Sequence, residues 1–273
     1  MFERNRAEGW QHAKLSGHKN EDLVTKLILE DTTIQQKLLL SASKKGNIIG
    51  VVEGGLCEKQ IPSVLGDGTK AKPDIRLITD QNDHVNVSLK KSFGGQVFLI
   101  TVDRFIKGFE LQYNTTIPND VKLAISLFWG SSKLVPSIID ECAKMEKSYQ
   151  TRKHRLVKDT MDRYNSSLSN VLLKWFQNNI VEIFDFCFVK GLAKNSEDWA
   201  DVIWYKNLLD GEEDGDTMIN LDELRIKIKE NADLICYGQR TGGSTIQLPF
   251  GFVQWHLDQM QFHHKLSTIK SIL

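Results

Sequence analysis

Residues 73–90 read PDIRLITDQNDHVNVSLK, from Pro73 and Asp74 to Lys90. Two β-branched stretches, DIRLIT and HVNVSL, flank Asp80-Gln81-Asn82-Asp83, and this pattern predicts a β-hairpin. On the second strand Val85, Val87 and Leu89 alternate with His84, Asn86, Ser88 and Lys90, so Ser88 and Lys90 share a face, about 7 Å apart. The residue opposite them depends on the turn. A two-residue loop at Gln81-Asn82 sets Asp74 against Leu89, on the wrong face. A loop of three or five residues, or a single bulge, sets it against Ser88 or Lys90 instead.

On the N-terminal side of this hairpin, NEDLVTKLIL places Leu23, Val24, Leu27 and Ile28 on one helical face. Asn20 is the expected N-cap there, with Glu21 and Asp22 in the first turn, where carboxylates suit the helix dipole. After Lys44-Lys45-Gly46, the stretches NIIGVV and QVFLITV add strands to the two of the hairpin. Ile117-Pro118 breaks the pattern; KLAISLFWG and Lys133 to Ile139 fit either strand or helix. From about Pro136 to Leu192 the chain reads as helical. Asn220-Leu-Asp-Glu223 matches a capping box opening LDELRIKIKENADL, and the chain then returns to extended texture. A single mixed α/β domain over 1–273 is expected, with a helical subregion at about 136–192.

The composition is that of a globular protein: 273 residues, 41% hydrophobic and 26% charged. Collagen-like, low-complexity and wholly disordered chains are excluded. Thirty-five Lys+Arg balance thirty-five Asp+Glu, so no global field draws the chain to polyanions and a nucleic-acid surface must come from local clustering. Cys57, Cys142, Cys187 and Cys236 form no CxxC pair, which argues against a disulfide framework or zinc knuckle. MFERNRAEGW has no apolar core, so no secretory signal is expected. Val171 to Leu192 is interrupted by Lys174, Glu182, Asp185 and Lys190 and reads as a core helix, not a membrane span.

An acid and a lysine converging across a hairpin suit metal-assisted phosphodiester hydrolysis. Asp74 offers magnesium a hard oxygen ligand and the carbonyl of Leu89 offers another. Such a metal polarises the phosphoryl group and acidifies a bound water. Lys90 would orient that water or stabilise charge on phosphorus.

These residues carry a resemblance. Pro73-Asp74 with Ser88-Leu89-Lys90 resembles the PD-(D/E)XK motif of type II restriction endonucleases. SLKKSFGGQVFLITVDRFIKGFE (88–110) is similar to the region after the catalytic lysine in HhaI-like and MspI-like enzymes. GHKNEDLV (17–24) resembles the family's first-helix signature, and QRTGGSTIQLPFGFVQWHLDQMQFHH (239–264) resembles C-terminal segments that some members place near DNA. The resemblance implies a restriction-endonuclease-like mixed sheet flanked by helices, cutting a short specific sequence in double-stranded DNA with Mg2+. It also implies a cytoplasmic enzyme, acting as a homodimer or as a monomer, with a cognate DNA methyltransferase. Asp74, Ser88, Lys90 and Glu21 are the implied catalytic residues, and Asp74, Leu89, Ser88 and Glu21 the implied metal ligands. The family's second acid, two residues before the lysine, is Ser88 here, as MspI-like members also carry a neutral residue. Glu21 is the first candidate to replace it and Asp83 the second. A non-catalytic DNA-binding protein of the same fold, or a repair or structure-specific nuclease, is the alternative.

DNA contacts are expected from Lys91, Ser92, Gln96 and Arg104 after the catalytic lysine. A basic run, Lys144, Lys147, Arg152, Lys153, Arg155 and Lys158, reads equally as a phosphate stripe or a solvated helix face. Gln239, Arg240, Thr241, Ser244, Thr245 and Gln247 lie in a donor-rich segment, within about 236–264, able to read bases or to be a plain surface loop. Each site residue also has a bland alternative: Asp74 as a turn cap, Lys90 as a solvated strand lysine, Glu21 as a first-turn carboxylate. Gly66 to Lys70 lacks P-loop spacing, and Asp210 to Asp216 lacks the final Glu of a calcium loop. His256, His263 and His264 lack a metal-binding partner at useful spacing. Trp175, Phe176, Phe184, Phe186 and Phe188 read as core.

Overall fold

The strand His84–Lys90 is the middle of a five-stranded mixed sheet. In order, the sheet runs Ile48–Val52, Ile75–Thr79, His84–Lys90, Val202–Tyr205 and Thr217–Asn220. Its middle strand pairs antiparallel with Ile75–Thr79 and parallel with Val202–Tyr205. The computed structural model describes residues 6–52, 60–145, 154–209 and 216–273. The chain divides into two compact units: Met1–Ser63 with Gly68–Phe93 and Phe188–Leu224, and Val64–Asp67 with Gly94–Cys187 and Arg225–Leu273.

In the first unit the sheet is buried by helices. Val24 and Ile28 of the helix Arg6–Glu30, and Leu38 and Leu39 of Thr32–Ser41, pack in one cluster with Ile75, Leu77, Val85, Val87, Leu89, Val202 and Trp204. Each such buried aliphatic side chain contributes about 1.5–3 kcal/mol. The alternation read from the sequence assigned a polar face to the middle strand; the structure buries that face too, with Asn86 and Ser88 at 0% and 1% exposure. The segment Glu197 to Trp199 covers this face, so its polar side chains need internal partners. Asn86 finds them: Nδ2 donates to the carbonyls of Glu197 and Trp199 at 2.7 Å, and Oδ1 accepts from Arg76 Nε at 2.9 Å.

The first helix corrects the expected N-cap. It runs Arg6–Glu30 without a break at Asn20, which is interior and 0% exposed. Asn20 instead donates through Nδ2 to Lys206 O at 2.9 Å and accepts through Oδ1 from Leu208 N at 2.8 Å. Glu21 and Asp22 therefore sit mid-helix, and the first-turn explanation for them falls away. The N-cap expected at Asn220 forms, since Asn220 Oδ1 accepts from Glu223 N at 3.0 Å at the start of Leu221–Glu230.

The second unit has its own five-stranded antiparallel sheet, ordered Gly94–Thr101, Gln259–Lys265, Gly251–His256, Thr245–Leu248 and Cys236–Tyr237. Its helices include Val102–Tyr113, Asn119–Phe128, Val135–Met145, Lys158–Tyr164, Leu168–Asn178 and Ile180–Asp185. The ambiguous KLAISLFWG is thus helical through Phe128. Phe105 packs against Phe109, Trp175, Phe186 and Phe262, so the aromatic run is core as its spacing implied. Among the described residues no helix is long and apolar enough to cross a membrane.

Candidate active site

The hairpin register decides whether acid and lysine can meet. Ile75 faces Val87, Arg76 faces Asn86, Leu77 faces Val85 and Ile78 faces His84. Thr79 N donates to Asp83 O at 2.9 Å, which leaves Asp80, Gln81 and Asn82 as a three-residue loop. Asn82 takes a left-handed φ of 56°, a conformation asparagine tolerates better than most residues. Continued by one position, this register sets Asp74 opposite Ser88, one of the two arrangements that bring it to the lysine's face.

The polar atoms at this end are close. Lys90 Nζ lies 3.9 Å from Asp74 Oδ2 and donates to Ser88 Oγ at 2.7 Å and to Leu89 O at 3.3 Å. Asp74 Oδ2 also accepts from Leu89 N at 2.7 Å. Ser88 Oγ donates to Lys72 O at 3.2 Å. The side chains of Asp74 and Lys90 are only 18% and 17% exposed. Burial raises the Asp74 pKa, against the pull of Lys90, the Leu89 N–H, Lys72 and His18. Desolvation outweighs four favourable partners, so the ionised carboxylate remains short of positive charge.

Glu21 of the first helix lies within electrostatic range of Asp74 and 3.3 Å from His18 Nδ1. Burial raises its pKa, and so does the neighbouring Asp74 carboxylate, while a hydrogen bond with His18 lowers it. The other two acid substitutes fare differently. Ser88 gives its proton to Lys72 O and one lone pair to Lys90, so it anchors the lysine and keeps one lone pair. Asp83 sits at the far end of the hairpin, about 16 Å of strand away, and pairs with Lys44 Nζ at 3.0 Å. Among the described residues no group of three or more His, Cys, Asp and Glu side chains is placed to hold a metal. The oxygens offered beside Lys90 are the Asp74 carboxylate and the carbonyl of Leu89, with Glu21 within electrostatic range of Asp74. That set suits magnesium, which binds through one or two carboxylates and keeps several waters.

The expected DNA contacts are dispersed. Lys91 is half-buried, and Ser92 and Gln96 are exposed; Gln96 Oε1 accepts from Gln261 Nε2 at 2.7 Å. Arg104 pairs with Asp67 at 2.5 Å. Arg152 and Lys153, like Lys147, lie outside the described residues. Arg155 is a correction: only 7% exposed, it donates to Phe128 O at 3.3 Å and Ser244 O at 3.0 Å, with its guanidinium over the Phe128 and Trp255 rings. A guanidinium desolvated and hydrogen-bonded in this way braces the second unit instead of meeting phosphate.

Gln239, Arg240 and Thr241 are exposed, whereas Ser244 is buried. Thr245 and Gln247 lie on a strand, joined by a 3.1 Å hydrogen bond. The glycines between them have a packing reason. The carbonyls of Gly242 and Gly243 accept from Asp159 N and Lys158 N at 3.2 and 3.3 Å, and a Cβ on Gly243 would meet that of Lys158 at 2.6 Å. The loop is pressed onto the start of the helix Lys158–Tyr164. His263, read as a bland residue, stacks on Phe252 at 4.5 Å.

Two residues of the cluster were missed in the sequence, His18 and Lys72. His18 is legible only once the helix is known to extend before Asn20, since it then lies one turn from Glu21 on the same face. Lys72 has no comparable signal, since it precedes the strand.

No family model matches the chain, and no curated protein does. Among solved structures, the chain is similar to restriction endonuclease MspI in complex with its cognate DNA, at 15% identity and a TM-score of 0.47. The match covers 85% of this chain and 77% of that chain. At that similarity the functional reading rests on the geometry above.

Proposed function

We propose that the chain is a metal-dependent deoxyribonuclease of the PD-(D/E)XK kind, acting on double-stranded DNA as a type II restriction endonuclease. The observation that carries this reading is the approach of Lys90 Nζ to within 3.9 Å of Asp74 Oδ2 across a hairpin of the required register. Asp74, Glu21 and the carbonyl of Leu89 would hold Mg2+. When bound, the ion supplies Lewis-acid activation of the phosphoryl group and of a water.

The protein's own groups do the rest. Asp74 is oriented by the Leu89 N–H, so its carboxylate cannot swing to solvent without losing a 2.7 Å hydrogen bond. Ser88 holds the Lys90 ammonium beside Asp74 without neutralising it. From there Lys90 orients the attacking water and stabilises the charge that develops on the phosphoryl oxygens, in a partly desolvated site where such charge stabilisation is strong. Sequence reading falls on the segment from Gln239 to Gln247 in this proposal, and a protecting DNA methyltransferase is its expected companion.

Digestion of a plasmid of known sequence with Mg2+ tests the reading. Discrete fragments with one shared terminus are expected. Asp74→Ala and Lys90→Ala should each lower cleavage by about 100-fold or more while retarding the same DNA in Ca2+. Intact DNA with retardation would support the non-catalytic alternative, and nicking confined to damaged or branched DNA the repair alternative. Near wild-type cutting by either variant would sink the assignment.

A further inference from the structure

Glu21 stands on a helix remote in sequence from the hairpin, and two neighbours fix it there. Asn20, fully buried, is bonded to both Lys206 O and Leu208 N, which sets the rotation of the helix about its axis. That leaves the Glu21 side chain free to choose a rotamer. The Asp74 carboxylate acts on Glu21 as a like charge, and like charge disfavours a rotamer aimed at it. His18 opposes this. Its Nδ1 lies 3.3 Å from Glu21 Oε2, with the two side chains 34% and 21% exposed, and the i,i+3 spacing puts both on one helical face.

We infer that His18 is a positioning residue that holds Glu21 toward Asp74, so that the two carboxylates are gathered before the metal arrives. This inference rests on the proposed metal site and assigns His18 no contact with the metal or DNA. Groups that orient a metal ligand without touching the metal change affinity about 10- to 100-fold when removed. Preorganisation is also where a 3.3 Å bond gains its leverage, because the ligand would otherwise have to be brought in against like charge.

Mn2+ titration of the full chain without DNA, followed by the electron paramagnetic resonance of the free ion, reads affinity without turnover. His18→Ala should weaken Mn2+ binding about tenfold, and His18→Asn, whose amide can replace Nδ1, should restore it to within about threefold. In a Glu21→Gln background, His18→Ala should cause no further loss. Unchanged affinity in His18→Ala overturns the inference. So does an equal further loss in the Glu21→Gln background, which would mean that His18 does not act through that carboxylate. Wild-type affinity in Asp74→Ala would instead remove the metal site itself, and the part given to His18 with it.

Discussion

At each end of one hairpin an aspartate lies near a lysine, one lysine being brought in from the loop after the second helix, and the pairs are built differently. At the turn, Lys44 Nζ bonds Asp83 Oδ1 directly at 3.0 Å, and Asp83 also accepts from His84 N at 2.7 Å. Those hydrogen bonds hold the Asp83 pKa below its ordinary value. Asp201 beside them is raised by burial, yet it too lies near Lys44, at 3.7 Å, and accepts from Asn86 N at 2.8 Å. At the open end Lys90 makes its short bond to neutral Ser88, and stays 3.9 Å from an Asp74 whose pKa is raised. Half-exposed, satisfied charge at the turn is ordinary surface structure. Shielded, under-compensated negative charge beside a lysine held at a distance is what the proposed cation site asks for.

The contrast breaks most directly in cleavage. Lys90→Ala should lower cutting about 100-fold or more, while Lys44→Ala, removing the lysine that pairs at the turn, should leave the rate within about threefold, as expected for loss of a partly exposed ion pair. Equal loss in both, measured by single-turnover digestion, would show that the ends do not differ in function.

Cation binding comes next in size. A divalent ion at 100 times its dissociation constant adds about 2.7 kcal/mol to stability, equivalent to roughly 5–10 °C in a chain of this length. That rise, read with Ca2+ by differential scanning calorimetry, should be present in the wild type and in Asp83→Asn, and absent in Asp74→Asn.

Acidity gives the opposite signs at smaller scale. Asp74 and Glu21 have raised pKa values in the fold. Their favourable contribution is complete below the unfolded values of about 4 and is lost as pH rises through the folded ones. Asp83 is lowered, so its contribution is present above its unfolded value and is lost as pH falls through the folded one. In metal-free protein at neutral pH, Asp74→Asn should therefore raise Tm by a few degrees, about 1 kcal/mol. Asp83→Asn should lower stability by less than about 1 kcal/mol, its carboxylate being half exposed. A fall in Tm for metal-free Asp74→Asn would contradict the picture of uncompensated charge.

Much of this hairpin could be read from the sequence because strand alternation and turn length are local properties. Ser88 and Lys90 share a face by period two alone, and DQND narrowed the loop to a few registers, of which the three-residue one forms. What escaped was decided by distant chain. Asn20 looks like a cap until Lys206 and Leu208 supply partners, and only then does Glu21 leave the first turn. Arg155 belonged to a basic run by composition, yet carbonyls at 128 and 244 take up its guanidinium. Gly242 and Gly243 lie in the segment that also read as a plain surface loop, whereas the helix beginning at Lys158 needs the space a side chain would fill. Period and composition carry no information about such partners.

The bonds from Asn20 to residues 206 and 208 have a consequence for the order of synthesis. They span 186 and 188 residues, and contacts so far apart in the chain are late to form. A ribosome-bound chain that has emitted the hairpin already carries Asp74 and Lys90, but its first helix has nothing to be moored to. Stalled nascent chains ending before residue 200 should thus neither bind Mn2+ tightly nor cut DNA, and both abilities should arrive together once residue 208 is well clear of the exit tunnel. On the proposed function, DNA cleavage would be withheld until most of the chain has been made.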